Sequence, residues 1–233
     1  MKLRLYPLPD VDNTNVGRLD MKRKKSTERL VISGVMLALS FVLSFVKIGW
    51  LPFGGSMTLF SMVPVIVVSC IYGVPWGLLT CGCYSALQLL QSIATDGRSF
   101  ILDNWYLTAL MIMLDYVLAF TVLGLSGMNA KNKKMTPGRG AMGALIVTFL
   151  RYICHILSGF ILFGEYAEWW FEGDGAVLGG LSSWALSNLS GSRLALLYST
   201  LYNGLYMIPE IIITAIGTFI ILKLLLKNGR FKV

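Results

Sequence analysis

The sequence predicts an all-α membrane protein built as a single six-helix bundle with both termini in the cytoplasm. Three observations carry that prediction. Of 233 residues, 55% are hydrophobic and only 14% are charged, with a mean hydropathy of +0.68; a soluble domain is about one-quarter charged. The apolar residues fall into six long runs. The basic residues gather at the ends of those runs.

The first twenty residues, "MKLRLYPLPDVDNTNVGRLD", are polar and lack the apolar core of a cleavable signal peptide. Residues 1–28 are read as a disordered, basic cytoplasmic segment, and translation from Met21 would open directly on its basic part. The six runs cover about 29–48, 57–73, 76–95, 105–126, 141–163 and 198–226. A helix needs about 20 apolar residues to cross a bilayer, so residues 29–228 form one membrane domain with no room for a soluble catalytic domain.

Turn residues divide the runs. Pro52, Gly54 and Gly55 punctuate the first gap, and "GVPWG" makes a tight second one. "TDGRS" and "LDN" fill the third, and "NAKNKKMTPGRG" the fourth. The fifth gap, roughly 164–197, holds "EYAEWWFEGDG" and a Gly/Ser-rich stretch, with room for a short amphipathic helix at the interface.

Charge sets the orientation. Lys22, Arg23, Lys24 and Lys25 precede the first run, Lys131, Lys133, Lys134 and Arg139 lie between the fourth and fifth, and Lys227, Arg230 and Lys232 follow the last. The other side carries Asp96, Asp103, Glu165, Glu168, Glu172 and Asp174. Positive residues stay inside, so both termini are expected in the cytoplasm. The net charge of +8 is explained by these flanks, which attract a lipid surface and need no nucleic acid. Cys70, Cys81, Cys83 and Cys154 lie in apolar runs without zinc-ligand spacing and are read as packing residues. Gly34 and Ala38, four residues apart on the first helix, form a small-residue face suited to close approach by another helix.

Four ionisable residues interrupt the apolar runs: Asp115, Arg151, His155 and Glu210. A charge at mid-bilayer costs about 2.5–3.5 kcal/mol on insertion scales, so each is a functional candidate. Asp115 and Arg151 are read either as a buried ion pair or as separate groups. Gly159 and Phe163 continue the His155 face at four-residue spacing, while Trp105, Tyr106, Tyr198, Tyr202, Asn203 and Tyr206 fall at similar depth. An acid, a histidine, an amide and aromatic rings together suit a small, planar, positively charged ligand. The rivals are an intramembrane enzyme using His155 and Asp115, against which no nucleophile or HExxH motif appears, and a purely structural subunit.

The blocks "LPFGGSMTLFSMVPVI", "LDYVLAFTVLGLSG", "RYICHILSGFILFGEYA" and "YSTLYNGLYMIPEIIIT" resemble, in that order, the thiamine-specific S component of energy-coupling factor vitamin transporters. The resemblance runs from about Leu30 to Lys227. It implies a six-helix S-component fold in the bacterial plasma membrane that binds thiamine from outside. It implies no catalytic residue, no metal, no cofactor and no ATPase of its own. Its partners would be a transmembrane coupling subunit, met through the Gly34 and Ala38 face, and two cytoplasmic ATPases. An S component for another vitamin, such as a pyridoxine-like compound, is the alternative. On this resemblance Asp115 faces the thiazolium charge and Tyr116 follows it. His155 lies beside the ligand, and Gly159 lets the ring approach. Tyr198 and Asn203 recognise the aminopyrimidine. Phe163 stands where a stacking tryptophan is usual, so Trp169 or Trp170 is a substitute. Trp50 is the expected second aromatic, and Trp105 or Phe100 corresponds to a tyrosine of the third loop. The fifth loop is longer than the family's and is read as a lid.

Overall fold

A computed structural model describes residues 13–48, 55–96, 102, 104–130 and 134–227. Its helices are α1 (Asn13–Leu43), α2 (Val63–Tyr72), α3 (Val74–Asp96), α4 (Trp105–Met111), α5 (Ala119–Thr121), α6 (Pro137–Leu162), α7 (Ala167–Glu172), α8 (Gly180–Asn188) and α9 (Gly191–Lys227). Two-residue strands β1 (Lys47–Ile48) and β2 (Met57–Thr58) pair antiparallel after α1. A π-helical stretch, Ile112–Leu118, separates α4 from α5, and a 3₁₀ stretch follows over Val122–Ala130.

Helix starts and stops follow local chemistry. Thr136 caps α6, its side chain accepting from the Arg139 N–H at 3.3 Å, and Pro137 occupies the first turn, where a missing N–H costs nothing. Between α2 and α3, Gly73 adopts φ 86°, a conformation that lets the chain reverse in one residue.

Two expectations are corrected here. α1 begins at Asn13, well before 29, so residues 13–28 are helical where disorder was expected. The early residues 1–12 lie outside the described residues. The last helix starts at Gly191, not near 198, and at 37 residues it is about 55 Å long. A bilayer core is about 30 Å thick, so α9 exceeds one crossing.

Four described helical segments have the length and apolarity to cross a membrane: Ser26–Leu43, Trp105–Asn129, Pro137–Leu162 and Gly191–Lys227. The run Val63–Tyr72 is apolar but short, and its residues from Val63 to Cys70 are all buried. α3 has 23 residues but carries Gln88, Gln91 and several hydroxyls.

The core forms where α2, α3, the 3₁₀ stretch and α6 meet, around Met62, Ile66, Val67, Tyr84, Phe120, Leu123, Val147 and Leu222. Close approach there relies on Gly124, where a methyl group would strike the backbone of Gly77 and Leu78. Ser69 Oγ donates to the Gly124 carbonyl at 2.5 Å and accepts from Gly127 N–H at 3.1 Å, so no polar group is stranded. The fifth gap is folded rather than a loop. Trp170 and Phe171 of α7 are 1% exposed and pack with Ala185, Leu194, Tyr198 and Tyr202.

Candidate functional site

A cavity of about 600 Å³ opens between α3, the π-helical stretch, α6, α9 and the β-hairpin. Its lining begins with the ionisable residues that interrupt the apolar helices. Asp115 sits in the π-helical stretch, where the backbone register is widened by one residue per turn, a geometry often found at functional positions. His155 lies opposite on α6, and its Nδ1 is 2.7 Å from Asp115 Oδ1. Ser158, one turn on, donates to Asp115 Oδ2 at 2.5 Å. The carboxylate thus holds two groups of α6.

That contact also sets the histidine tautomer. A carboxylate accepts only, so Nδ1 carries the proton in this contact, and in the ring's neutral form Nε2 is the acceptor. Nε2 is buried and has no hydrogen-bond partner among the described residues.

Asn203 of α9 is fixed in the same way. Its Nδ2 donates to the carbonyls of Ser199 and His155 at 2.9 and 3.2 Å, and its Oδ1 accepts from the Tyr206 hydroxyl at 2.6 Å. Both amide hydrogens are used, leaving one Oδ1 lone pair to offer. Gly159 permits this closeness of α6 and α9, because a Cβ there would strike Ser199 Oγ and crowd Asn203 Nδ2.

Aromatic rings complete the wall. Tyr198, Tyr202, Tyr206 and Phe163 all line the cavity. The tyrosine rings step along α9 with centroids 5.7 and 6.3 Å apart. Trp170 backs them from outside the cavity, 5.5 Å from Tyr198 and 6.2 Å from Tyr202.

The structure therefore brings Asp115, Tyr116, His155, Gly159, Phe163, Tyr198 and Asn203 to one cavity. Trp105 is a correction: it is 81% exposed, stacks edge-on against Tyr106 and does not line the cavity, which fits an aromatic belt at the membrane surface. Trp50 and Phe100 lie outside the described residues. Trp169 is exposed and Trp170 is buried behind the wall, so neither substitutes at the surface of the cavity. The Asp115–Arg151 ion pair is also corrected. Arg151 Nη1 lies 3.4 Å from Glu210 Oε2, and its guanidinium sits 4.3 Å over the Phe120 ring.

Sequence reasoning missed a polar wall on α1 and α3. Ser44 Oγ donates to Gln91 Oε1 at 2.6 Å, Gln88 Nε2 donates to the same oxygen at 3.2 Å, and Tyr116 and Ser92 share a hydroxyl contact at 2.6 Å. The pair Gln88 and Gln91 in an apolar run was the available signal. It also missed the hairpin. Thr58 donates from its N–H and its hydroxyl to Glu210 Oε1 at 3.3 and 2.5 Å, and Gly55 N–H donates to the Tyr202 hydroxyl at 3.2 Å. Those bonds fasten Gly55 and β2 to α9 at the wall of the cavity.

The cavity thus offers acceptors (Asp115, His155 Nε2, Asn203 Oδ1) and ring faces in a buried setting. Comparison with known proteins places the chain in a family. The sequence profile described as thiamine transporter protein matches residues 30–229. The thiamine transporter ThiT of Bacillus subtilis (strain 168) is 30% identical over 207 residues, covering 84% of this chain and 91% of that protein. The solved structure of ThiT from Listeria monocytogenes superimposes with a TM-score of 0.59 at 20% identity, covering 85% of this chain and 95% of that one; it shows the shared fold. With several helices able to span a bilayer, the chain is a multi-pass bacterial membrane protein, and it belongs to the thiamine transporter protein family.

Proposed function

We propose that this chain binds thiamine from outside the cell and delivers it for uptake as the S component of an energy-coupling factor transporter. The observation that carries the reading is the convergence of Asp115, His155 and Asn203 on one cavity walled by tyrosines. Thiamine is a cation of two flat rings joined by a methylene, an aminopyrimidine with an exocyclic amine and a charged thiazolium. The amine needs acceptors, which His155 Nε2 and Asn203 Oδ1 supply; the thiazolium needs a counter-charge and ring faces, which Asp115 and the aromatic wall supply. Each Asp115 oxygen keeps a lone pair beyond those used by His155 and Ser158. Its side chain is 21% exposed, so it remains within reach of a ligand.

In this reading the bundle crosses the membrane six times with both termini inside. The chain has no ATPase of its own and docks on a transmembrane coupling subunit served by two ATPases. α1 is the docking helix. Only 11% of its membrane-length window is buried within the protein, Gly34 and Ala38 are exposed, and a Cβ on Gly34 would meet nothing within 4 Å.

The test is purification in detergent, release of co-purified small molecules for mass spectrometry, and titration with a vitamin panel including pyridoxine. Thiamine as the released compound and the tightest ligand is the expected result. A pyridoxine-like compound in both roles would replace the substrate, and no vitamin binding would end the reading.

A further inference from the structure

The cavity read as a cation site contains a fixed cation. Arg151 lines it from α6 and Lys47 from the hairpin, together with Asp115, the acid among the described residues that does so; Arg151 is the buried one of the two cations. An unpaired guanidinium there would repel a thiazolium and compete with it for Asp115. Glu210 prevents both. It does not line the cavity and is 1% exposed, yet its Oε2 lies 3.4 Å from Arg151 Nη1. Its other oxygen is anchored by Thr58 through two hydrogen bonds. The Phe120 ring lies under the guanidinium and Met62 Sδ accepts from the same Nη1.

We infer that Glu210 is a specificity-determining residue: by holding Arg151, it keeps the cavity selective for a cationic ligand over an uncharged one of the same shape. Glu210 touches no ligand in this scheme and acts through Arg151. The inference rests on the thiamine reading and concerns charge discrimination, not binding as such. Arg151 and Glu210 are both buried, so their charges count strongly. With Glu210 neutral, the freed guanidinium turns toward Asp115 and removes its charge from the ligand.

The experiment measures affinity for thiamine and for an uncharged analogue carrying a thiophene in place of the thiazolium, and follows their ratio. Glu210→Gln is expected to lower the thiamine preference at least about 10-fold. Arg151→Gln is expected to raise it about 10-fold, because the guanidinium that opposes the cation is gone and Asp115 faces it without that competitor. The double variant restores the charge balance and returns the ratio to within about threefold of the unaltered chain. Glu210→Gln leaves a buried charge unpaired and is the variant most exposed to misfolding; if it fails to fold, the Arg151→Gln ratio decides alone. A ratio unchanged in the folded variants, with both ligands losing affinity equally, means the pair only holds helices together and overturns the inference. So does a preference that falls in Arg151→Gln. If the unaltered chain binds no thiamine, the functional reading fails first and takes this inference with it.

Discussion

His155 Nδ1 and Asp115 Oδ1 meet at 2.7 Å, joining the π-helical stretch to the middle of α6 across the cavity. The contact gives both residues a defined role before any ligand arrives: the acid fixes the ring, and the ring presents its second nitrogen. Asp115→Asn keeps the shape of that contact but removes the charge. It is expected to weaken thiamine binding by about 2 kcal/mol, or ~30-fold, with little change in thermal stability. Calorimetry and thermal unfolding of the same sample check both halves.

Gly159 and Gly34 make a contrasting pair. A methyl group at Gly159 strikes Ser199 and crowds the Asn203 amide, whereas one at Gly34 meets open space. Gly159→Ala should cost about 1–3 kcal/mol of stability, as overpacking does, and weaken thiamine binding because Asn203 is displaced. Gly34→Ala should leave both unchanged. Thermal unfolding and titration of the two variants side by side give the answer.

Thr58 holds the hairpin to Glu210. Thr58→Val removes the hydroxyl donor while keeping the side-chain volume, a loss of about 1–2 kcal/mol at a charged acceptor. Lys47 and Thr58 of the hairpin line the cavity, so the effect is expected in the dissociation rate, about 10-fold faster, with the association rate changed much less. Stopped-flow fluorescence measures both rates.

Trp169 and Trp170 are neighbours with opposite surroundings: 52% exposed against 1%. Trp170→Ala should destabilise the protein by about 3–5 kcal/mol and loosen Tyr198 and Tyr202. Trp169→Ala should fall within about 0.5 kcal/mol of the unaltered chain. Unfolding midpoints in one detergent compare them directly.

Much of the site was legible because charge in an apolar run is conspicuous. Asp115 and His155 stood out on that ground, helical spacing placed Gly159 and Phe163 beside them, and Asn203 was marked by its depth and by the family resemblance. The partner of Arg151 was not legible: Asp115 and Glu210 are both acids at membrane depth, and only packing decides between them. Gln88 and Gln91 escaped notice because neutral amides disturb an apolar pattern less than charges do. The π-helical register around Asp115 leaves no sequence mark, since it depends on how the backbone carbonyls are shared. Trp105 misled because a ring at the membrane surface serves equally as a belt residue and as a ligand contact. The segment 164–197 looked like a loop from its glycines and serines, whereas the apolar pair Trp170 and Phe171 supplies the burial that folds it against α9. The start of α1 was missed for a related reason, since a polar helix has no hydropathy signal.

The most direct test of the whole account is an experimental structure of the purified protein with thiamine bound. The account predicts the aminopyrimidine amine within about 3 Å of His155 Nε2 or Asn203 Oδ1, and the thiazolium facing Asp115 with a tyrosine ring against it. Thiamine seated elsewhere, with Asp115, His155 and Asn203 all keeping their present partners and none touching it, would contradict it.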